Sequence, residues 1–255
     1  MKLKLIAAAA VLAASGAANA AIDLGAQGNG DLFFSIWDGA NSYTRDLGIT
    51  LDGFEAALAA PGGLSFAVAA DALFTSYLST ANLASAAWNI VASDASGARR
   101  SIYTYSTLPA TTVNAGDFRN AIGNAGAIAL RVNEGLAPGA DSGVFAAGTT
   151  AYAGNFSFGN TIGGLLNFGI AGSAANNSYA SGMNLVRVNG NPSGTAPTVY
   201  TPYADEGFAV RAYLDSASGN LTIAAVPEPE TYAMLLAGLG LMGAIARRRR
   251  NKGQA

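Results

Sequence analysis

Short runs of alternating apolar and polar residues, broken by Gly, Asn, Asp and Ser, fill most of this chain. Leu32-Phe33-Phe34-Ser35-Ile36-Trp37 reads as a strand with Leu32, Phe34 and Ile36 on one face. Turn chemistry at Asp38-Gly39-Ala40-Asn41 predicts a return through Ser42-Tyr43-Thr44-Arg45. A short helix is expected next, with Asp52 as N-cap and Phe54 and Leu58 stacked one turn apart. Pro61-Gly62-Gly63 ends it, and Leu64 to Ala69 is again strand-like. Asp71 can cap a second helix that places Leu73, Phe74, Tyr77 and Leu78 on one face. Two hairpins stand out. Trp88–Ala92 and Ser101–Tyr105 flank the turn-rich Ser93-Asp94-Ala95-Ser96-Gly97, and Phe208–Leu214 returns through Leu221-Thr222-Ile223. A further helix is expected near Asn114 or Asp117, with Gly123 and Gly126 weakening its continuation. Between 135 and 202 the text is rich in Gly, Ala, Ser, Asn and Thr, and only fragments such as Asn155-Phe156-Ser157-Phe158 look like edge strands. Strand periods outnumber helix periods without a regular β-α alternation. The expected fold is therefore mainly β, a single β-sandwich-like domain with a few short helices.

The two ends break this pattern. At the N-terminus, Lys2 and Lys4 precede an apolar run from Leu5 to Ala14, and Ala18-Asn19-Ala20 forms an A-x-A site. That order predicts a secretory signal peptide over residues 1–20, cut after Ala20 by signal peptidase. At the C-terminus, Pro227-Glu228-Pro229 precedes the uncharged stretch Thr231 to Ala246, which is followed by Arg247, Arg248, Arg249 and Arg250. As a helix those residues would span roughly 24 Å at about 1.5 Å each, a little short of a hydrocarbon core of about 30 Å. Tyr232 and snorkelling arginines can make up the difference, so a single transmembrane helix is expected. The arginine cluster would act as a cytoplasmic stop-transfer signal.

This C-terminal order resembles the PEP-CTERM sorting signal of Gram-negative bacteria: a Pro-Glu-Pro motif, an apolar helix and a basic cluster. The resemblance covers about the last 30 residues and divides the chain into a signal peptide (1–20), an exported mainly β domain (21–226) and a sorting signal (227–255). It implies an exosortase as partner, beside signal peptidase, the secretion machinery and the membrane. It also implies a producer of exopolysaccharide, biofilm or floc. The block from Ser35 to Gly48 is similar to segments of PEP-CTERM precursor bodies, a family without an assigned activity. The expected location is outside the inner membrane, held first by the C-terminal helix and then at the cell surface or beyond.

Charge and chemistry narrow the role of the exported part. Residues 21–226 carry 7 arginines, no lysine and 14 acids, which leaves a net charge of −7. That balance argues against nucleic acid as a partner, since phosphate binding rests on Lys and Arg. The whole chain has no Cys and no His. This excludes triads built on His, Cys nucleophiles, zinc sites built on His or Cys, and haem held by His. No catalytic residue, metal site or cofactor is expected, and the primary reading is a non-enzymatic envelope or matrix protein.

Four weaker patterns carry alternatives. Asp205-Glu206 is the adjacent acidic pair of the body, relevant to a carboxylate-dependent hydrolase. Asp38, Asn41 and Asp46 could offer oxygens to Ca²⁺, although their spacing departs from an EF-hand. Tyr103, Tyr105, Tyr152, Tyr179, Tyr200, Tyr203 and Tyr213 could stack on sugars in a carbohydrate-binding module for exopolysaccharide. Gly238-Leu239-Gly240-Leu241-Met242-Gly243 matches a dinucleotide fingerprint but lies in the apolar stretch, after no strand, and is read as helix-packing glycine instead.

Overall fold

The computed structural model of the protein describes residues 10–13, 21–23, 25, 28–60, 64–94, 96, 100–105, 112–113, 115–155, 172–173, 182–189, 198–205, 208–215, 217–225, 237–239 and 242. In chain order, β1 (Ala10–Ala13), β2 (Asp31–Trp37) and β3 (Asn41–Thr50) lead into helix α1 (Leu51–Leu58). Then come β4 (Leu64–Val68), α2 (Ala72–Thr80), β5 (Ala87–Ser93), β6 (Arg100–Tyr105), β7 (Thr112–Val113) and the long α3 (Ala115–Gly135). The second half holds β8 (Ser142–Ala146), β9 (Gly172–Ser173), β10 (Met183–Asn189), β11 (Thr198–Pro202), β12 (Ala204–Asp205), β13 (Phe208–Leu214) and β14 (Leu221–Ala225).

These strands join one curled sheet in the order β1-β4-β14-β13-β10-β6-β5-β2-β3-β8, with β7, β9, β11 and β12 paired off this path. Among the described residues every pairing is antiparallel except that of β1 with β4. The fold is thus mainly β, as expected, but its two cores are made by helices on the two faces of one sheet, not by two facing sheets.

The inner core gathers Leu32, Phe34 and Ile36 of β2, Trp88 and Ile90 of β5, Leu185 of β10, Val210 and Leu214 of β13, Ile223 of β14 and Phe66 of β4. Leu51 and Phe54 of α1 and Phe74 and Tyr77 of α2 join the same cluster. Strands so far apart in the sheet share one cluster because the sheet curls around these two helices. Tyr43 stacks on Phe74 with ring centroids 4.5 Å apart, and Phe34 meets the same ring edge-on at 5.5 Å. The second core lies on the opposite face, where Ile122, Ala125, Ile128, Ala129 and Val132 of α3 pack over Phe33, Val91, Tyr103, Val186 and Val188.

That second layer explains several departures from the sequence reading. Strand β2 is buried on both faces, so Phe33 and Ser35 are as hidden as Phe34. Helix α3 runs through Gly123 and Gly126 to Gly135 because its Ile122-Ala125-Ile128-Ala129-Val132 stripe is buried against the sheet. Burial of that stripe outweighs a propensity cost of about 1 kcal/mol per glycine. Helix α1 is capped by Thr50, whose Oγ1 accepts from Gly53 N at 3.1 Å, and Asp52 falls in the first turn. Asp71 caps α2 as expected, accepting from Phe74 N at 2.6 Å. On α2, however, Leu73 is 40% exposed and leaves the buried face to Phe74 and Tyr77.

The lead-in after residue 20 is also anchored. Ile22 is buried, and the Asn133 side chain both accepts from Ile22 N and donates to Ile22 O, each at 2.9 Å. Ala21, just before it, is exposed. Gly25 adopts φ +63°, and Gly30 packs so closely on Ser93 that a Cβ would collide with the Ser93 carbonyl oxygen. These glycines let the lead-in cross the end of β5.

Candidate functional site at the strand that leaves the domain

Strand β14 is the last element before the Pro/Glu motif, and the sheet holds it on both sides. It pairs with β13 from Leu214↔Leu221 to Val210↔Ala225, and with β4 from Val68↔Leu221 to Ser65↔Ala224. Leu221 and Ile223 point into the inner core and are buried. Ala225 is the last paired residue, so only Val226 separates the sheet from Pro227. Two residues of extended chain reach at most about 7 Å. Along the chain the motif therefore begins within two residues of the paired strand.

Pro227, Glu228, Pro229, Arg247, Arg248, Arg249, Arg250, Ala18 and Ala20 lie outside the described residues. Of the expected transmembrane stretch, residues 237–239 and 242 are described and helical, with Leu239 and Met242 exposed. Among the described residues no helix is long and apolar enough to cross a membrane. Within the expected signal peptide, Ala10–Ala13 form the parallel edge strand β1.

The registers bring a charged network to the same end of the sheet as Ala225. Met183↔Ala212 in β10 and β13, with Asn189↔Arg100 in β10 and β6, place Arg187 and Arg100 toward that end. Arg100 lies between two elements that the sequence keeps apart. Its Nη2 is 2.6 Å from Asp52 Oδ1 and 3.4 Å from Asp94 Oδ2, and its Nη1 is 3.0 Å from Glu55 Oε2. The other Glu55 oxygen, Oε1, is 3.0 Å from Arg187 Nη1 and accepts from the Tyr203 hydroxyl at 2.8 Å. Burial alone would lower the Arg100 pKa; the Asp52 hydrogen bond and the charges of Asp52, Glu55 and Asp94 outweigh it and raise it. Burial first, and the Glu55 bond second, push the Tyr203 pKa well above its usual value. With both Glu55 oxygens engaged, the network clamps α1 to the sheet.

A second polar group sits on β3. Asp71 accepts from the Tyr43 hydroxyl at 2.7 Å and from Ser142 Oγ at 2.8 Å. Arg45 donates to Ala69 O at 2.9 Å and faces Asp141 at 3.5 Å and Asp71 at 3.9 Å. Burial works to raise the Asp71 pKa, but the bonds from Tyr43, Phe74 N and Ser142 and the Arg45 charge hold it below the usual carboxylate value. Asp46 behaves oppositely. It is only 7% exposed, and burial pushes its pKa to about 7. The hydrogen bond from Gly48 N opposes this shift, the charges of Asp31 and Asp141 add to it, and Arg45 counters it.

The remaining sequence candidates do not converge. Asp38 spends its carboxylate on the backbone N–H groups of Ala40, Asn41 and Asn82, at 2.9, 2.8 and 3.0 Å. Asp46 lies five residues beyond Asn41 on the same strand, about 17 Å away at the usual strand rise. The proposed Ca²⁺ trio is thus not assembled. Asp205 is half-buried in β12, and Glu206 lies outside the described residues. Tyr103, Tyr105, Tyr152, Tyr203 and Tyr213 are all buried, so these five pack within the fold rather than standing out as stacking platforms. Helix α3 covers the face that carries Tyr103 and Tyr105, and Tyr203 joins the inner core. The side chains of Tyr179 and Tyr200 lie outside the described residues.

Residues 225–250 match the family model of the PEP-CTERM protein-sorting motif. The match begins at Ala225, the last paired residue of β14. Comparison with curated proteins and with solved structures finds no match. The motif supports an exported, exosortase-sorted protein anchored to the membrane through its C-terminal region.

Proposed function

We propose that this protein is a non-enzymatic component of the cell envelope or extracellular matrix, delivered by its C-terminal signal and released from the membrane by exosortase cleavage near Pro227-Glu228-Pro229. The observation that carries this reading is the sorting-motif match at residues 225–250, abutting a strand paired on both sides. Export is supported by the N-terminal order of Lys2, Lys4, the apolar run and Ala18-Asn19-Ala20. A cut after Ala20 leaves Ile22, which is buried and held by Asn133, inside the mature chain.

In this account the body folds outside the membrane and blocks backward movement, while Arg247 to Arg250 resist translocation. Each arginine costs roughly 3 kcal/mol at a helix centre. The chain stalls with the Pro/Glu motif between the two obstacles. Two prolines keep that segment extended and out of the following helix. Along the chain, only Val226 separates the motif from the paired strand and only Glu230 separates it from the uncharged stretch. A processing enzyme must then work in the narrow space between the domain and the bilayer.

The experiment is alanine replacement of Pro227, Glu228 and Pro229 together, followed by immunoblotting of membrane and released fractions. The reading predicts a full-length product retained in the membrane. Normal release of the variant would reduce the motif to a linker.

A further inference from the structure

The β4 edge is built differently from the rest of the sheet. Its inner side is fully committed: β4 pairs with β14 from Leu221↔Val68 to Ala224↔Ser65, and Phe66 and Val68 are buried in the inner core. Its outer side takes β1 in parallel, with the register Ala10↔Leu64, Val11↔Ser65, Leu12↔Phe66 and Ala13↔Ala67. Residues 10–13 fall within the segment that the reading above removes on export. Removal leaves the outer N–H and C=O groups of β4 without a strand among the described residues.

Native edges are normally blunted by charge, proline or a bulge. Residues 64–70, Leu-Ser-Phe-Ala-Val-Ala-Ala, contain neither a charged residue nor a proline, and the β4–β14 register is continuous. The strand is also held rigid by its buried residues, which lowers the ordering cost of a partner that joins it. Parallel pairing is somewhat weaker per residue than antiparallel, and only four residue pairs hold the occupant of this edge.

From these observations we infer that the outer edge of β4 is a strand-acceptor site for an extended, uncharged peptide segment in parallel orientation. Residues 10–13 are the occupant that defines its chemistry, four residues without charge, polar group or ring. A partner in the mature protein would supply a segment of the same kind. Because β14 lies between β4 and β13, the acceptor edge is immediately beside the strand that leads to the sorting motif.

The inference rests on removal of the signal peptide, and the experiment separates the two. Amide hydrogen exchange is measured on the detergent-solubilised full chain and on its Leu12→Pro variant, in which proline removes a donor and disrupts β1. The outward-facing amides of Leu64–Val68 should lose at least about tenfold of their protection in the variant, while those of β13 keep theirs. Unchanged protection of all β4 amides would overturn the acceptor edge. In a second arm, a synthetic peptide of residues 5–14 is added to exported protein whose N-terminus has been read by mass spectrometry. Protein starting at Ala21 should regain protection at β4 with the peptide, and a failure to regain it would overturn the assigned occupant. Protection that instead rises with protein concentration, together with dimers in sedimentation, would assign the edge to a second copy and overturn the peptide occupant. Protein retaining residues 1–20 would refute the processing step, and the Leu12→Pro comparison would still decide the edge.

Discussion

The Asp46 carboxyl gives the domain a pH response that can be worked out from its surroundings. The residue is 7% exposed, accepts from Gly48 N at 2.8 Å, and faces Asp31 and Asp141 as well as Arg45. Burial, reinforced by the two neighbouring carboxylates, raises its pKa from 3.8 to about 7. Between those values the folded state holds a proton that the unfolded state has released. Stability from this group is therefore full below about pH 4, falls as pH rises, and levels off above about pH 7. The slope in the window is about 1.4 kcal/mol per pH unit, and the total is on the order of 4 kcal/mol. Asp46→Asn keeps an oxygen for Gly48 N and removes the charge. Urea unfolding of the exported domain and of the variant, run from pH 4 to pH 8, isolates the difference from all other titrations. The variant should match the parent near pH 4 and become progressively more stable, by up to about 4 kcal/mol at pH 8. A difference that does not change across this range would refute the reasoning, because it would mean that Asp46 ionises alike in both states.

Substitutions at two further positions test the Arg100 network and the close approach of Gly30 to β5. Arg100→Met should cost about 3 kcal/mol in the same urea assay, because it leaves the Asp94 carboxylate, 4% exposed, without its cation. Arg100→Lys should recover part of that loss, whereas equal losses for both would show that charge is not the cause. Gly30→Ala should destabilise by about 2 kcal/mol or more, since its Cβ would meet the fixed backbone of Ser93; a neutral result would contradict the close approach.

The hairpins were legible in the sequence because alternation and turn residues agree there. Trp88–Ala92 with Ser101–Tyr105, and Phe208–Leu214 with Leu221–Ile223, are found as β5 with β6 and β13 with β14. Asp71 is legible as a cap for the same local reason. Strand β10 was hidden by its setting. Met183-Asn184-Leu185-Val186-Arg187-Val188 lies in a long Gly- and Asn-rich stretch, yet its β-branched residues and alternation are a strand signal that stands above that background. What covers a strand is not written in its period. Phe33 and Val91 face α3, while Phe34 and Ile90 face α1 and α2, and the same pattern would suit a second sheet. The burial of Tyr103 and Tyr105 has the same origin. Long-range polar contacts are the least legible part: nothing near Glu55 announces Arg100 or Tyr203, which stand 45 and 148 residues away. The sorting signal is the opposite case. Its three parts act through order along the chain, so it can be read without any fold.

Processing at that signal leaves its mark on the C-terminus of the mature protein. Intact-mass and peptide mass spectrometry of the surface or released protein, with and without exosortase in the host, would locate the final residue. The mature chain should end close to Pro227-Glu228-Pro229, with the apolar stretch and Arg247 to Arg250 removed only when exosortase is present. Recovery of peptides from residues 231–255 on the mature protein in both strains would contradict it.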